Sequence, residues 1–123
     1  MVGPALERLL LTELKAHIER RLDEAGLTPA TIAAHHHVSL RYLYRLFEAE
    51  GAGVCEWIRT RRLERCRQGL SDPSLRSTST ARIATRWGFG SPAHFSRVFR
   101  ARYGVSPAAY RGASQREEQD ALG

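Results

Sequence analysis

Residues 80–111 read TARIATRWGFGSPAHFSRVFRARYGVSPAAYR, and this stretch decides the fold. Ile83 and Ala84 begin an apolar helical face. Gly88 ends that first helix, because glycine enters the left-handed conformation that helix ends often require. Ser91 is placed to cap the next helix, with Pro92 in its first turn, where a missing N–H is harmless. Phe95, Val98 and Phe99 then recur at i, i+3 and i+4 and form one face. The remaining surface carries His94, Ser96, Arg97 and Arg100. A helix, a glycine turn and a second helix with a basic outer face outline a helix-turn-helix, with a third short helix after it.

Working outward, residues 5–25 place Leu6, Leu10, Leu14, Ile18 and Leu22 at intervals of four, with Leu11 and Ala25 widening the stripe. This predicts an amphipathic helix ended by Gly26. Thr28 and Pro29 start a short helix over 31–36 whose core residues are Ile32 and Ala33. Ser39 caps a further helix with Leu43, Leu46 and Phe47 inward, ended by Gly51 and Gly53. Residues 54–70 predict a longer helix, anchored by Val54, Trp57, Ile58, Cys66 and Leu70. Residues 71–79 (SDPSLRSTS) read as a loop. The polar residues 112–123 are expected to be a flexible tail.

The chain contains an internal repeat. Ile32-Ala33 aligns with Ile83-Ala84, and Val38 with Phe89, at a spacing of 51. Beyond the turn the spacing becomes 52, pairing Ser39 with Ser91, Leu43 with Phe95, Arg45 with Arg97 and Phe47 with Phe99. The expected architecture is all-α, with about seven helices. It comprises an N-terminal helix and first helix-turn-helix (1–53), a connecting helix (54–70), a second helix-turn-helix (71–111) and the tail. A recognition helix fits the major groove, about 12 Å wide. Two of them on one chain would enter successive groove segments, so a single chain would read an asymmetric site.

Charge supports a nucleic-acid partner. The 123 residues carry a formal net charge of +6, and 18 of the 19 basic residues are arginine. Residues 73–116 hold eight arginines and no acid, whereas residues 1–26 hold five acids and four bases. A one-sided arginine surface suits phosphate and guanine. It also suits an acidic protein, so a basic all-helical interaction module is the alternative. Cys55 and Cys66 lie eleven positions apart on one helix, about 16 Å along the axis, too far for a disulfide. Reduced thiols and the lack of any membrane-length apolar run place the expected protein in the cytoplasm. His35-His36-His37 invites a metal reading. Successive helical side chains diverge by about 100°, so three in a row do not converge on one ion. The cysteines also lack the spacing of a zinc site. No metal and no cofactor are expected. Without a phosphate loop, a serine elbow or a carboxylate pair in an apolar setting, no enzyme is expected either.

The segment IATRWGFGSPAHFSRVFRARYGVSPAAYR closely resembles the signature of the AraC/XylS family of bacterial transcription regulators. The earlier segment IAAHHHVSLRYLYRLFEAEG, followed by WIRTRRLERC, also fits that family. The resemblance covers about residues 5–111 and implies sequence-specific binding to double-stranded DNA at the bacterial nucleoid, with RNA polymerase as a further partner. It implies base contacts from Arg41, Tyr44 and Arg45 in the first recognition helix, with Tyr42 nearby. In the second it implies contacts from Pro92, Ala93 and Arg97. Pro92 and Ala93 have no donors and reach at most a thymine methyl. The second unit is therefore the weaker expected reader. Ser39, Tyr42, Ser91, His94, Ser96, Arg86 and Arg100 are expected as phosphate or supporting contacts, and the isolated domain as a monomer on DNA. Two departures stand out: His37 occupies the usual turn-glycine position, and Thr80 an apolar one. Family members commonly carry an effector-binding domain as well, so the chain is expected to be the C-terminal part of a longer regulator.

Overall fold

The computed structural model describes residues 3–122 and is all-helical over them. Seven α-helices follow one another: α1 (Pro4–Arg20), α2 (Pro29–His35), α3 (Leu40–Glu48), α4 (Val54–Leu70), α5 (Thr80–Arg86), α6 (Pro92–Tyr103) and α7 (Pro107–Leu122). One 3-10 turn, Pro73–Leu75, lies between α4 and α5. The chain divides into two compact units, one through Arg61 and one from Arg62 onward. The boundary falls inside α4, so the helix expected as a connector is shared. Val54 and Ile58 are buried near its start, and Leu63, Cys66 and Leu70 toward its end.

In the first unit α1 buries Leu11, Leu14 and Ile18. Leu6 is 59% exposed, contrary to its place in the expected stripe. Steps of four residues rotate a side chain by about 40° each, so a long i+4 row drifts off the buried face. The helix also stops at Arg20, six residues before Gly26. Asp23 and Glu24 oppose the negative end of a helix dipole, and a turn delivers Leu22 and Leu27 to the core instead. α2 opens with a complete capping box, in which Thr28 accepts from the Thr31 N–H and Thr31 accepts from the Thr28 N–H. α3 buries Leu43, Leu46 and Phe47. Lys15 lies 4.4 Å from the Trp57 ring centroid. Arg61 grips Glu19 with two hydrogen bonds of 3.0 and 2.8 Å, holding the first half of α4 to α1.

In the second unit Leu63, Cys66, Leu70, Ile83, Phe89, Phe95 and Phe99 share one core. Phe99 is fully buried, with ring centroids 5.6 Å from Phe95, 4.7 Å from Tyr103 and 5.8 Å from Tyr110. Burial pushes the Cys66 thiol up to about 12, so it stays a neutral core side chain. Both cysteines are free, and Cys55 is exposed. Glu64 ties three helices together: Arg67 donates to it from its own helix, Tyr103 from α6 donates at 2.9 Å, and Arg67 also donates to the Tyr110 hydroxyl in α7 at 2.8 Å. Residues 112–122 continue α7 and are not irregular. Apart from Gly112 the segment consists of residues compatible with a helix, and Glu118 pairs with Arg76. Among the described residues no helix is long and apolar enough to cross a membrane.

The two units repeat each other in hydrogen bonding as well as in sequence. In the first turn the Val38 N–H donates to Ala33 O and the His37 N–H to Ala34 O. In the second, the Phe89 N–H donates to Ala84 O and the Gly88 N–H to Thr85 O, each pair displaced by 51 residues. Ser39 then accepts from the Tyr42 N–H and Ser91 from the His94 N–H, displaced by 52. His37 adopts φ 55°, matching the left-handed Gly88 at φ 93°. A side chain at that φ costs about 1–2 kcal/mol relative to glycine. His37→Gly should therefore leave the fold intact and change unfolding free energy by about +1 kcal/mol in urea titration, less the extra entropy glycine gives the unfolded chain. A loss of stability would show that the His37 side chain makes a favourable contact. Gly88 has no such freedom in reverse, because a Cβ there would also meet the Arg62 guanidinium at 3.2 Å.

Candidate nucleic-acid interface

The outer face of α3 begins at the Ser39 cap and presents Leu40, Arg41, Tyr44, Arg45 and Glu48, all exposed. Together with Ser39 and Tyr42 these residues line one shallow depression. They are outward because Leu43, Leu46 and Phe47 take the inward positions of a nine-residue helix. The Arg45 guanidinium carbon sits 5.0 Å from the Tyr42 ring centroid. The Tyr42 hydroxyl donates to the Glu7 carboxylate at 2.9 Å, and this bond raises the phenol's pKa above its usual value. Tyr42 is thus committed within the unit and serves as a ring on which Arg45 is oriented. Leu40 and Glu48 belong to this face without having been singled out by sequence. An exposed Leu40 in the first turn can contact a thymine methyl, and Glu48 can accept from cytosine N4.

The corresponding face of α6 starts at Ser91 and exposes Pro92, Ala93, His94, Ser96, Arg97 and Arg100. Phe95 and Phe99 face the core. Ala93 and Arg97 are one turn apart on the exposed side, so the two base-reading candidates of the second unit share a face. The Ser91 and Ser39 oxygens accept the cap hydrogen bonds, and their hydroxyl protons remain able to donate to a phosphate. Arg86 is exposed beside Trp87, its guanidinium carbon 5.3 Å from the ring centroid.

Two sets stand out among the arginines. Arg61, Arg67 and Arg111 are used within the fold: Arg61 on Glu19, Arg67 on Glu64 and Tyr110, and Arg111 on the Leu75 carbonyl at 2.7 Å. Arg41, Arg97 and Arg100 are exposed and make no salt bridge among the described residues. The second set lies on the outer faces of α3 and α6. Sequence alone counts both sets equally.

Two members of the histidine run join a cluster with a residue from another helix. His35 is the last residue of α2 and His36 its C-cap, whose N–H still donates to Ile32 O, so the two rings come together through their side-chain rotation and not through a break in the helix. Both rings meet His17 from α1, at centroid distances of 4.5 and 4.9 Å. His37 is the member that turns away, with its left-handed backbone. Burial first, then the charges of His35, His36, Arg21 and Arg20, hold the His17 pKa down at about 4, so the ring is neutral.

Comparison with known proteins places the chain among helix-turn-helix domains. A family model described as a helix-turn-helix domain matches residues 32–113. The transcriptional activator NphR of a Rhodococcus species is 40% identical over 101 residues, covering 82% of this chain and 29% of that protein. The probable transcription factor PqrA of Proteus vulgaris is 30% identical over 103 residues, covering 83% of this chain and 80% of its own length. A solved AraC-type DNA-binding domain from Chromobacterium violaceum superposes with a TM-score of 0.80 at 32% identity, covering 89% of this chain and 96% of that one. The chain spans under a third of the length of NphR.

Proposed function

The chain belongs to the AraC/XylS family of helix-turn-helix transcription regulators, and from that premise we propose that it binds one asymmetric duplex site as a monomer, with α3 and α6 in successive major-groove segments. The family is one of DNA-binding regulators and not of enzymes. Specificity comes mainly from α3, through Arg41, Tyr44 and Arg45. α6 adds Arg97 and an apolar touch from Ala93. Ser39, Ser91, His94, Ser96, Arg86 and Arg100 hold the sugar-phosphate backbone. RNA polymerase is the further partner of a bound regulator, and the nucleoid its place of action. One observation carries this reading: two helices with the same cap geometry both expose arginines that enter no salt bridge among the described residues.

Selection of bound sequences from a random duplex library, followed by footprinting, tests it. The expected site is roughly 15–20 base pairs long, without two-fold symmetry, and filled by one chain. Affinity should fall with log salt at a slope of about −0.9 per neutralised phosphate. If selected and random duplexes compete equally, the basic faces serve an acidic protein instead. A palindromic footprint with two chains would overturn the monomeric, bipartite mode.

A further inference from the structure

We propose that His17, His35 and His36 form a binding site for a zinc-class divalent transition ion, which ties α1 to the end of α2 in the first helix-turn-helix. One potential ligand atom from each histidine can be chosen so that all three lie within 4.8 Å of one another. Around a tetrahedral ion with bonds of about 2.0–2.1 Å, neighbouring ligand nitrogens are about 3.3 Å apart. Closing the triangle therefore needs side-chain movement of an ångström scale, which falls to the exposed His35. The rings meet tilted or edge-on, at interplanar angles of 52°, 70° and 67°, not stacked. In-plane lone pairs of such rings can be directed at a common point.

Two further features point to a ligand. His17 is only 3% exposed, and its Nδ1 has no hydrogen-bond partner. His36 Nε2 is likewise buried and unpartnered. Buried polar atoms are ordinarily satisfied, and a neutral imidazole whose unpaired nitrogen is the unprotonated one offers a lone pair for donation. Three imidazoles match zinc, copper, nickel and cobalt and leave a fourth position for water. Arg20 and Arg21 oppose a cation here and Glu13 favours one, so binding is expected to be weaker than in a closed structural site.

The ion would join residues 18 and 19 positions apart, just before the turn that launches α3. It would stabilise the first unit by binding the folded chain.

Tag-free protein at pH 7.5 should take up one equivalent of Zn2+ in competition with a chromophoric chelator, and one of Co2+ with a tetrahedral visible band. His35→Ala and His36→Ala should each weaken binding at least about tenfold while circular dichroism keeps its helical signal. His37→Ala, next in sequence but outside the cluster, should bind as the parent does. His17→Asn should also abolish uptake. If that variant loses its helical signal, the His35 and His36 variants decide alone. Absence of stoichiometric uptake, retention of full affinity in His35→Ala, or equal loss in His37→Ala would each overturn the site.

Discussion

Arg45→Ala is expected to lower affinity for the selected duplex by about 5- to 150-fold, the equivalent of about 1–3 kcal/mol, and to erase preference at one base pair in one half of the site. The size follows from geometry. Arg45 is exposed, and its guanidinium lies 5.0 Å from the Tyr42 ring, itself held by Glu7. An arginine oriented in advance loses less rotamer freedom when it forms two hydrogen bonds to guanine O6 and N7. Arg97→Ala should act in the same way within the other half, with a smaller effect, because its neighbours Pro92 and Ala93 donate nothing. Arg100→Ala supplies the contrast: affinity for all sequences should fall together, and the salt slope should shrink by about one phosphate. Binding arrays over single-base variants of the selected site separate these cases. If Arg45→Ala weakens all sequences uniformly, Arg45 is a phosphate clamp and α3 reads bases through other side chains.

Phe99→Ala is expected to lower the unfolding free energy of the second unit by about 3–5 kcal/mol. Phe99 is fully buried and touches the Phe95, Tyr103 and Tyr110 rings, so truncation opens a cavity at the centre of an aromatic cluster. Each aromatic pair adds about 0.5–1.5 kcal/mol beyond the area it buries. A unit of some sixty residues has a small core, so a loss of this size leaves it close to unfolding at ambient temperature. In a Trp57→Phe background the emission of Trp87 reports this unit during urea titration. The same variant should bind DNA with loss of the α6 half of the footprint. A change under about 1 kcal/mol would mean that the neighbouring rings collapse into the space.

Most of the fold is legible locally. Caps are written as Thr28-Pro29, Ser39 and Ser91-Pro92, and the turns as His37 and Gly88; all adopt the expected geometry. The repeat at 51 and 52 residues is visible because equivalent core positions recur. The ends of α1 and α7 are less legible. α1 stops where Leu22 and Leu27 must enter the core by a turn, and α7 continues where composition alone reads as a tail. Helix length in such polar segments depends on neighbours, including the Arg76–Glu118 pair, that are distant in sequence.

Local sequence set where the helices begin, their caps, the repetition of the helix-turn-helix and the outward placement of Arg41, Arg45 and Arg97, though not the ends of α1 and α7. These follow from periodicity and from interactions within about four residues, which the chain carries wherever it goes. Tertiary structure alone decided which arginines are consumed by Glu19, Glu64 and the Leu75 carbonyl, and that Tyr42 is held by Glu7. It also decided that His17 meets His35 and His36. Each of these joins elements far apart in the chain, except the Glu64–Arg67 pair within α4. Side-chain partners at that separation are set by how helices pack, which no local pattern encodes.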